Sequence, residues 1–204
     1  MKNYGNSFNN DSQEFAAGKV PIWLHVDEFY AAGCTLNNQV QGATIPVGTP
    51  VYVPKMGAEA TVLETFEVVG AVATTDTTVV LKSVSGTVQP AKDLVVGKIG
   101  SNGVIAKAAA LPEVTSESDG EYTFTITANT FGALSDGDIL VIASEAGSNK
   151  APAYPTGLLY EDVYVGNVGA TGTVVTKGQV LADRIAAIPA AYKPYLTNIT
   201  FVNE

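Results

Sequence analysis

A chain of 204 residues with 46% apolar and 15% charged side chains is long enough to bury one generous core or two small ones, and too apolar to stay unfolded. Its 11 basic and 20 acidic residues give a formal charge of -9, which repels phosphate backbones and excludes nucleic acid as an expected partner. The single cysteine, Cys34, excludes a disulfide framework within the chain and a cysteine-built metal site.

The first residues carry no apolar signal-peptide core, and no apolar run approaches the roughly 20 residues that span a bilayer, so neither Sec export nor membrane insertion is expected. Residues 1–19 read as an arm, polar and Asn-rich without any period. Three rings, Tyr4, Phe8 and Phe15, interrupt it, either as part of a loose tail or as anchors that order on a partner. Residues 20–26 predict a strand with the only Trp and the only His, and Pro21 places it at an edge or a strand start. Residues 27–33 are expected to make one or two helical turns ended by Gly33, and 33–42 a polar connection.

A turn running into a strand is predicted over 45–53, and a further strand over 60–72. Short strands follow at 78–84, 93–99, 121–128 and 138–143, bounded by Gly, Asp, Asn or Ser at the spacing of a sandwich or barrel. Strands over 157–165, 172–185 and 199–202 close the chain. Between the last two, Pro189 suits the first position of a helix, and Pro194 limits that helix to about a turn and a half. One local pattern recurs: an apolar residue (Ile45, Leu134, Val175), two turn residues, then a glycine (Gly48, Gly137, Gly178) and a fresh strand. Each glycine is expected at positive φ in a tight turn.

The titratable inventory offers no catalytic site. His25, beside Trp23 in an apolar strand, reads as a packed or half-exposed strand histidine, and Cys34 as an ordinary thiol. A Cys34–His25 dyad needs the fold to bring them together and lacks an orienting third group. Glu161 and Asp162 are adjacent on a strand and point to opposite faces, so they form no acid/base couple. Glu161 is expected in solvent and Asp162 at a strand end or interface. The Ser135-Asp-Gly-Asp138 loop has calcium-type oxygens but not the longer acidic spacing of an EF-hand, so turn chemistry is the better reading. The Gly-rich loop 166–172 lacks a Gly-Lys-Ser/Thr ending and reads as a hairpin loop. No enzyme activity, cofactor or metal is expected.

The run GLLYEDVYV over 157–165, the run GTVVTKGQVLADRI over 172–185 and the turn-and-strand IPVGTPVYV over 45–53 resemble head decoration and head-fibre proteins of tailed bacteriophages. The stretch from Asp183 through ITFV at 199–202 resembles the head-fibre type more closely. The resemblance covers about half the chain, and residues 66–151 depart from it as a β-rich insertion. It implies a structural capsid accessory protein on the outer surface of the virion, made in the host bacterial cytoplasm. Its partner would be the major capsid protein, and its own assembly a homo-oligomer, with a trimer favoured. The expected fold is mainly β: an arm over 1–19, a small barrel- or sandwich-like body from 20–65 plus 152–204, and a second β-subdomain inserted over 66–151. The alternative function is a carbohydrate- or host-surface-binding β-module displayed on a virion. Tyr122, Phe124, Tyr154 and Tyr160 are its candidate glycan platforms, with core packing as the competing role for each.

Overall fold

The computed structural model describes residues 22–203 except 31–32, 38–40, 56, 87–88 and 167–168. The expected arm, with Tyr4, Phe8 and Phe15, lies outside the described residues. Five strands come first: β1 (Trp23–Phe29), β2 (Cys34–Asn37), β3 (Thr44–Ile45), β4 (Pro50–Tyr52) and β5 (Ala60–Val62). Seven follow: β6 (Thr65–Val68), β7 (Thr78–Ser83), β8 (Val95–Ile99), β9 (Ile105–Ala110), β10 (Val114–Ser118), β11 (Glu121–Thr125) and β12 (Ile139–Ile142). The last five are β13 (Gly157–Leu159), β14 (Val163–Tyr164), β15 (Ala170–Gly172), β16 (Val174–Leu181) and β17 (Ile199–Val202). Helix is limited, among the described residues, to the 3-10 turns Ala182–Arg184 and Lys193–Tyr195. The chain is mainly β and helix-poor, as its composition and turn spacing predict.

The strands form two large sheets. The body sheet runs β1-β16-β13-β4-β5-β2-β15, with β17 parallel to β16. Only Thr173 separates β15 at the far end from β16 near the start, so the row curls back on itself as a barrel-like body. The middle sheet, β10-β11-β7-β6-β12-β8-β9, draws every strand from residues 65–142 and is antiparallel throughout. Strands β3 and β14 form a separate pair.

Alternation on the strands decides where the cores sit. Leu140 and Val141 are neighbours on β12, yet they enter different clusters. Leu140 joins Phe66, Leu81 and Phe124 on one face of the middle sheet. Val141 joins Ile99, Ile105 and Ala108 on the other, where Leu63, Ala191 and Tyr192 cover them. The body has its own core around Ile45, Val51, Val62 and Val174. Full burial of each such aliphatic side chain is worth roughly 1.5–3 kcal/mol over leaving it in water. After β16 the chain crosses to the back of the middle sheet, packs Ile188, Ala191 and Tyr192 there, turns at Lys193–Tyr195, and returns as β17.

Several local expectations are corrected. Residues 27–33 are not helical: β1 continues to Phe29, and Glu28 and Phe29 pair with Lys177 and Val175 of β16. Sheet pairing outweighs a weak local helix preference there. The polar connection 33–42 contains β2, paired with both β15 and β5. Residues 60–72 are two strands in different sheets, with the chain changing sheets between Val62 and Thr65. Residues 157–165 divide likewise, because the Asp162 carboxylate accepts a hydrogen bond from Val47 N at 2.8 Å and the chain turns into β14. Gly48 and Gly137 have the expected positive φ of 78° and 79°, but Gly178 does not. It lies within β16, where a Cβ would meet His25 O at 2.5 Å, so close strand approach selects that glycine.

Candidate tyrosine-lined cleft

Two proline-marked segments meet where the body and the middle sheet touch. Pro152 and Pro155 flank Tyr154, and Pro194 holds the Lys193–Tyr195 turn to a single 3-10 turn. Tyr154 and Tyr195 stack with centroids 4.1 Å apart and planes 12° apart. Tyr192 meets Tyr154 edge-on at 6.4 Å and 85°. Both arrangements suit the charge distribution of aromatic rings. Burial pushes the Tyr192 phenol well up, with Tyr154 adding to it. Burial raises Tyr154 too, followed by the nearby Tyr195 phenol and a hydrogen bond to it. Both rings therefore stay neutral at ordinary pH.

Beside this stack lie two adjoining hollows. One, of about 640 Å³, is bordered by Asp27, Glu28 and Tyr30 on one side and Tyr195 and Asn198 on the other. The second, of about 580 Å³, is bordered by Tyr52, Tyr154 and Pro155. Thr156 and Tyr195 line both, so the hollows form one cleft. Each is within the roughly 300–1,000 Å³ usual for small-molecule sites. Thr156 is held in place as its hydroxyl oxygen accepts from Val53 N at 2.8 Å. Tyr195 remains 48% exposed.

The sequence-predicted residues separate clearly. Tyr122 and Phe124 are buried on the inward face of β11, so core packing is their role and neither presents a platform. Tyr160 is half-buried away from the cleft, stacked on Trp23 at 6.3 Å, and its carbonyl accepts the Trp23 indole N–H at 2.9 Å. Tyr154 lies in the cleft. Tyr30, Tyr52 and Tyr195 escaped the sequence reading. The signal for Tyr195 was its spacing of three from Tyr192 across Pro194, which puts two rings on one tight turn.

His25 is exposed, and its Nε2 lies 2.8 Å from Asp27 Oδ1 on the same strand. Cys34 is buried on β2, and four strands separate it from β1, so no dyad forms. Burial raises the Cys34 thiol above its ordinary pKa. Native protein is therefore expected to react with iodoacetamide at neutral pH at least about tenfold more slowly than urea-unfolded protein, as mass spectrometry would record. Equal rates would contradict the burial of Cys34. In the 135–138 turn, Asp136 Oδ1 accepts from Gly70 N at 2.7 Å. Asp138 Oδ2 accepts from Ser135 N at 2.7 Å and from Lys98 Nζ at 2.6 Å. These carboxylates are spent on closing the turn. No three His, Cys, Asp or Glu side chains converge among the described residues, and no helix there is long and apolar enough to cross a membrane.

Comparison with protein-family models, with curated proteins and with solved structures finds no match for this chain.

Proposed function

We propose that this protein is a structural accessory of a tailed-bacteriophage head, which binds the outer surface of the capsid and stabilises it or anchors a head fibre. The observation that carries this reading is the pairing of the two separated segments that resemble decoration and head-fibre proteins. Val51 pairs with Gly157, Pro50 with Leu158, and Ile45 with Val163. Those segments are thus contiguous in space, although the whole middle sheet lies between them in sequence. A resemblance scattered by chance along the chain would give no reason for its halves to be strand partners.

The partner in this reading is the major capsid protein. Contacts repeated over a symmetric shell, multiplied by a homo-oligomer (a trimer is favoured), add up to strong attachment from weak single contacts. Binding to the assembled shell alone stabilises that shell by mass action. Among the described residues, strand β1 sits at the end of the body sheet, but three register shifts interrupt its pairing with β16, and His25, Asp27 and Glu28 line it. Such an edge discourages strand addition, so attachment falls to the arm with Tyr4, Phe8 and Phe15 or to a face of the body.

Co-sedimentation with expanded capsids that lack the protein tests the proposal, with unexpanded procapsids as the control. Saturable binding to expanded shells alone is the expected result, and a chain starting at Lys19 shows whether the arm is the tether. Failure to bind any shell of the source phage would end the capsid reading.

A further inference from the structure

We propose that the tyrosine-lined cleft binds a neutral oligosaccharide, with Tyr195 as the central stacking platform. The inference is independent of the capsid reading, because it stands on the chemistry of the cleft.

A pyranose ring has an apolar C–H face and a rim of hydroxyl groups. Recognising it takes an exposed aromatic face, nearby hydrogen-bond acceptors, and more than one ring's length of cleft. All three are present. Tyr195 is a large ring left 48% exposed, and the Tyr154 stack holds its orientation. It borders the first hollow, which Tyr154 does not reach, as well as the second, which both rings line. Tyr30 and Tyr52 stand one in each hollow, so aromatic surface continues along the cleft. The residues between the rings add polar surface: Asp27, Glu28, Thr176 and Asn198 border the first hollow, with Asp27 Oδ1 also 2.8 Å from His25 Nε2. The Thr176 hydroxyl already donates to Glu28 O at 3.3 Å, which ties the β16 side of the cleft to β1.

Charge narrows the ligand. Among the described residues, no Lys, Arg or His lines either hollow. Lys193, beside Tyr195 on the same turn, lies over the Phe201 ring at 5.0 Å instead. With acidic residues and no basic one bordering the hollows, and a formal charge of -9 on the chain, uronic and sialic acids are disfavoured. A neutral glycan keeps its hydroxyl bonds without that penalty. Aromatic, acceptor-rich surface of this kind also suits protein interfaces, so the test has to separate the two occupants.

Saturation-transfer NMR on the full chain does so, with maltohexaose, cellohexaose and mannohexaose as neutral probes and hexagalacturonate as the anionic one. At least one neutral hexamer is expected to receive saturation at about 1 mM, consistent with the weak affinities of single shallow sites. Tyr195→Ala should weaken that binding by roughly tenfold or more, while Tyr195→Phe, which keeps the ring, should stay within about threefold. Tyr164→Ala, at a 67% exposed position on β14 outside the cleft, should leave binding unchanged and controls for general surface effects. No transfer to any neutral hexamer, or equal binding by Tyr195→Ala, overturns the proposal. So does hexagalacturonate binding as well as the neutral probes. If Tyr195→Ala abolishes capsid co-sedimentation while no hexamer binds, the cleft seats the shell and not a sugar.

Discussion

Tyr192→Ala is expected to lower the unfolding free energy by about 3–5 kcal/mol, the usual cost of emptying a large aromatic site in a close-packed core. Tyr192 is among the largest fully buried side chains, and it arrives from a segment that belongs in sequence to the body. Its neighbours include Ile99, Ile105 and Val141 from the middle sheet. The ring therefore fills the space where the two sheets meet, and its removal also deprives Tyr154 of its edge-on partner. Guanidinium unfolding followed by circular dichroism gives the change directly. Tyr192→Phe keeps the packed ring and should lose about 1 kcal/mol or less. With the joint weakened, the two sheets are expected to melt over a broader transition with a smaller m-value. A Tyr192→Ala protein as stable and as cooperative as its parent would show that this cluster does not join them.

A comparable loss, about 3–4 kcal/mol, is expected from the single methyl group of Gly86→Ala. Gly86 has φ of +80°, and a Cβ there would sit 2.1 Å from Thr44 O and 2.9 Å from Ile45 Cα. Both obstacles are backbone of β3 or its neighbour, so no side chain can rotate away. Gly103 gives the matched comparison, with φ of +77° and nothing within 4 Å of the added carbon. Gly103→Ala should cost only the left-handed backbone strain of about 1–2 kcal/mol. The difference between the two urea midpoints isolates the clash, and equal midpoints would mean that the turn after β7 does not press on β3.

Where the sequence carried alternating or continuous apolar signal between turn residues, strand positions were legible. The predicted 78–84 strand is β7, 138–143 contains β12, and 199–202 is β17. Legibility failed where sheet partners, and not local preference, set the structure. Strand β9 reads Ile-Ala-Lys-Ala-Ala-Ala, a composition that favours helix, and becomes strand because β8 pairs with it. The change of sheet after Val62 leaves no mark in the apolar pattern of 60–72. The cleft suffered most. Tyr154 was among the candidate glycan platforms, but Tyr52 and Tyr195 come from distant parts of the chain and meet it only through tertiary packing. Tyr122 and Phe124, two apart on β11, share one face, and that face is the core.

The nesting of one sheet within the sequence of the other sets an order of events during synthesis. All seven strands of the middle sheet are available once the ribosome has passed β12. The body at that moment holds β1 to β5 and lacks β16, the strand that β1, β13 and β17 all pair with. Nascent β1 must therefore wait without its β16 partner, and β4 holds only β5 and not β13, while the middle sheet matures first. The exposed charges of β1 are then protective twice over: they guard a finished edge, and they keep an early-made strand from finding the wrong partner while its own is still being translated.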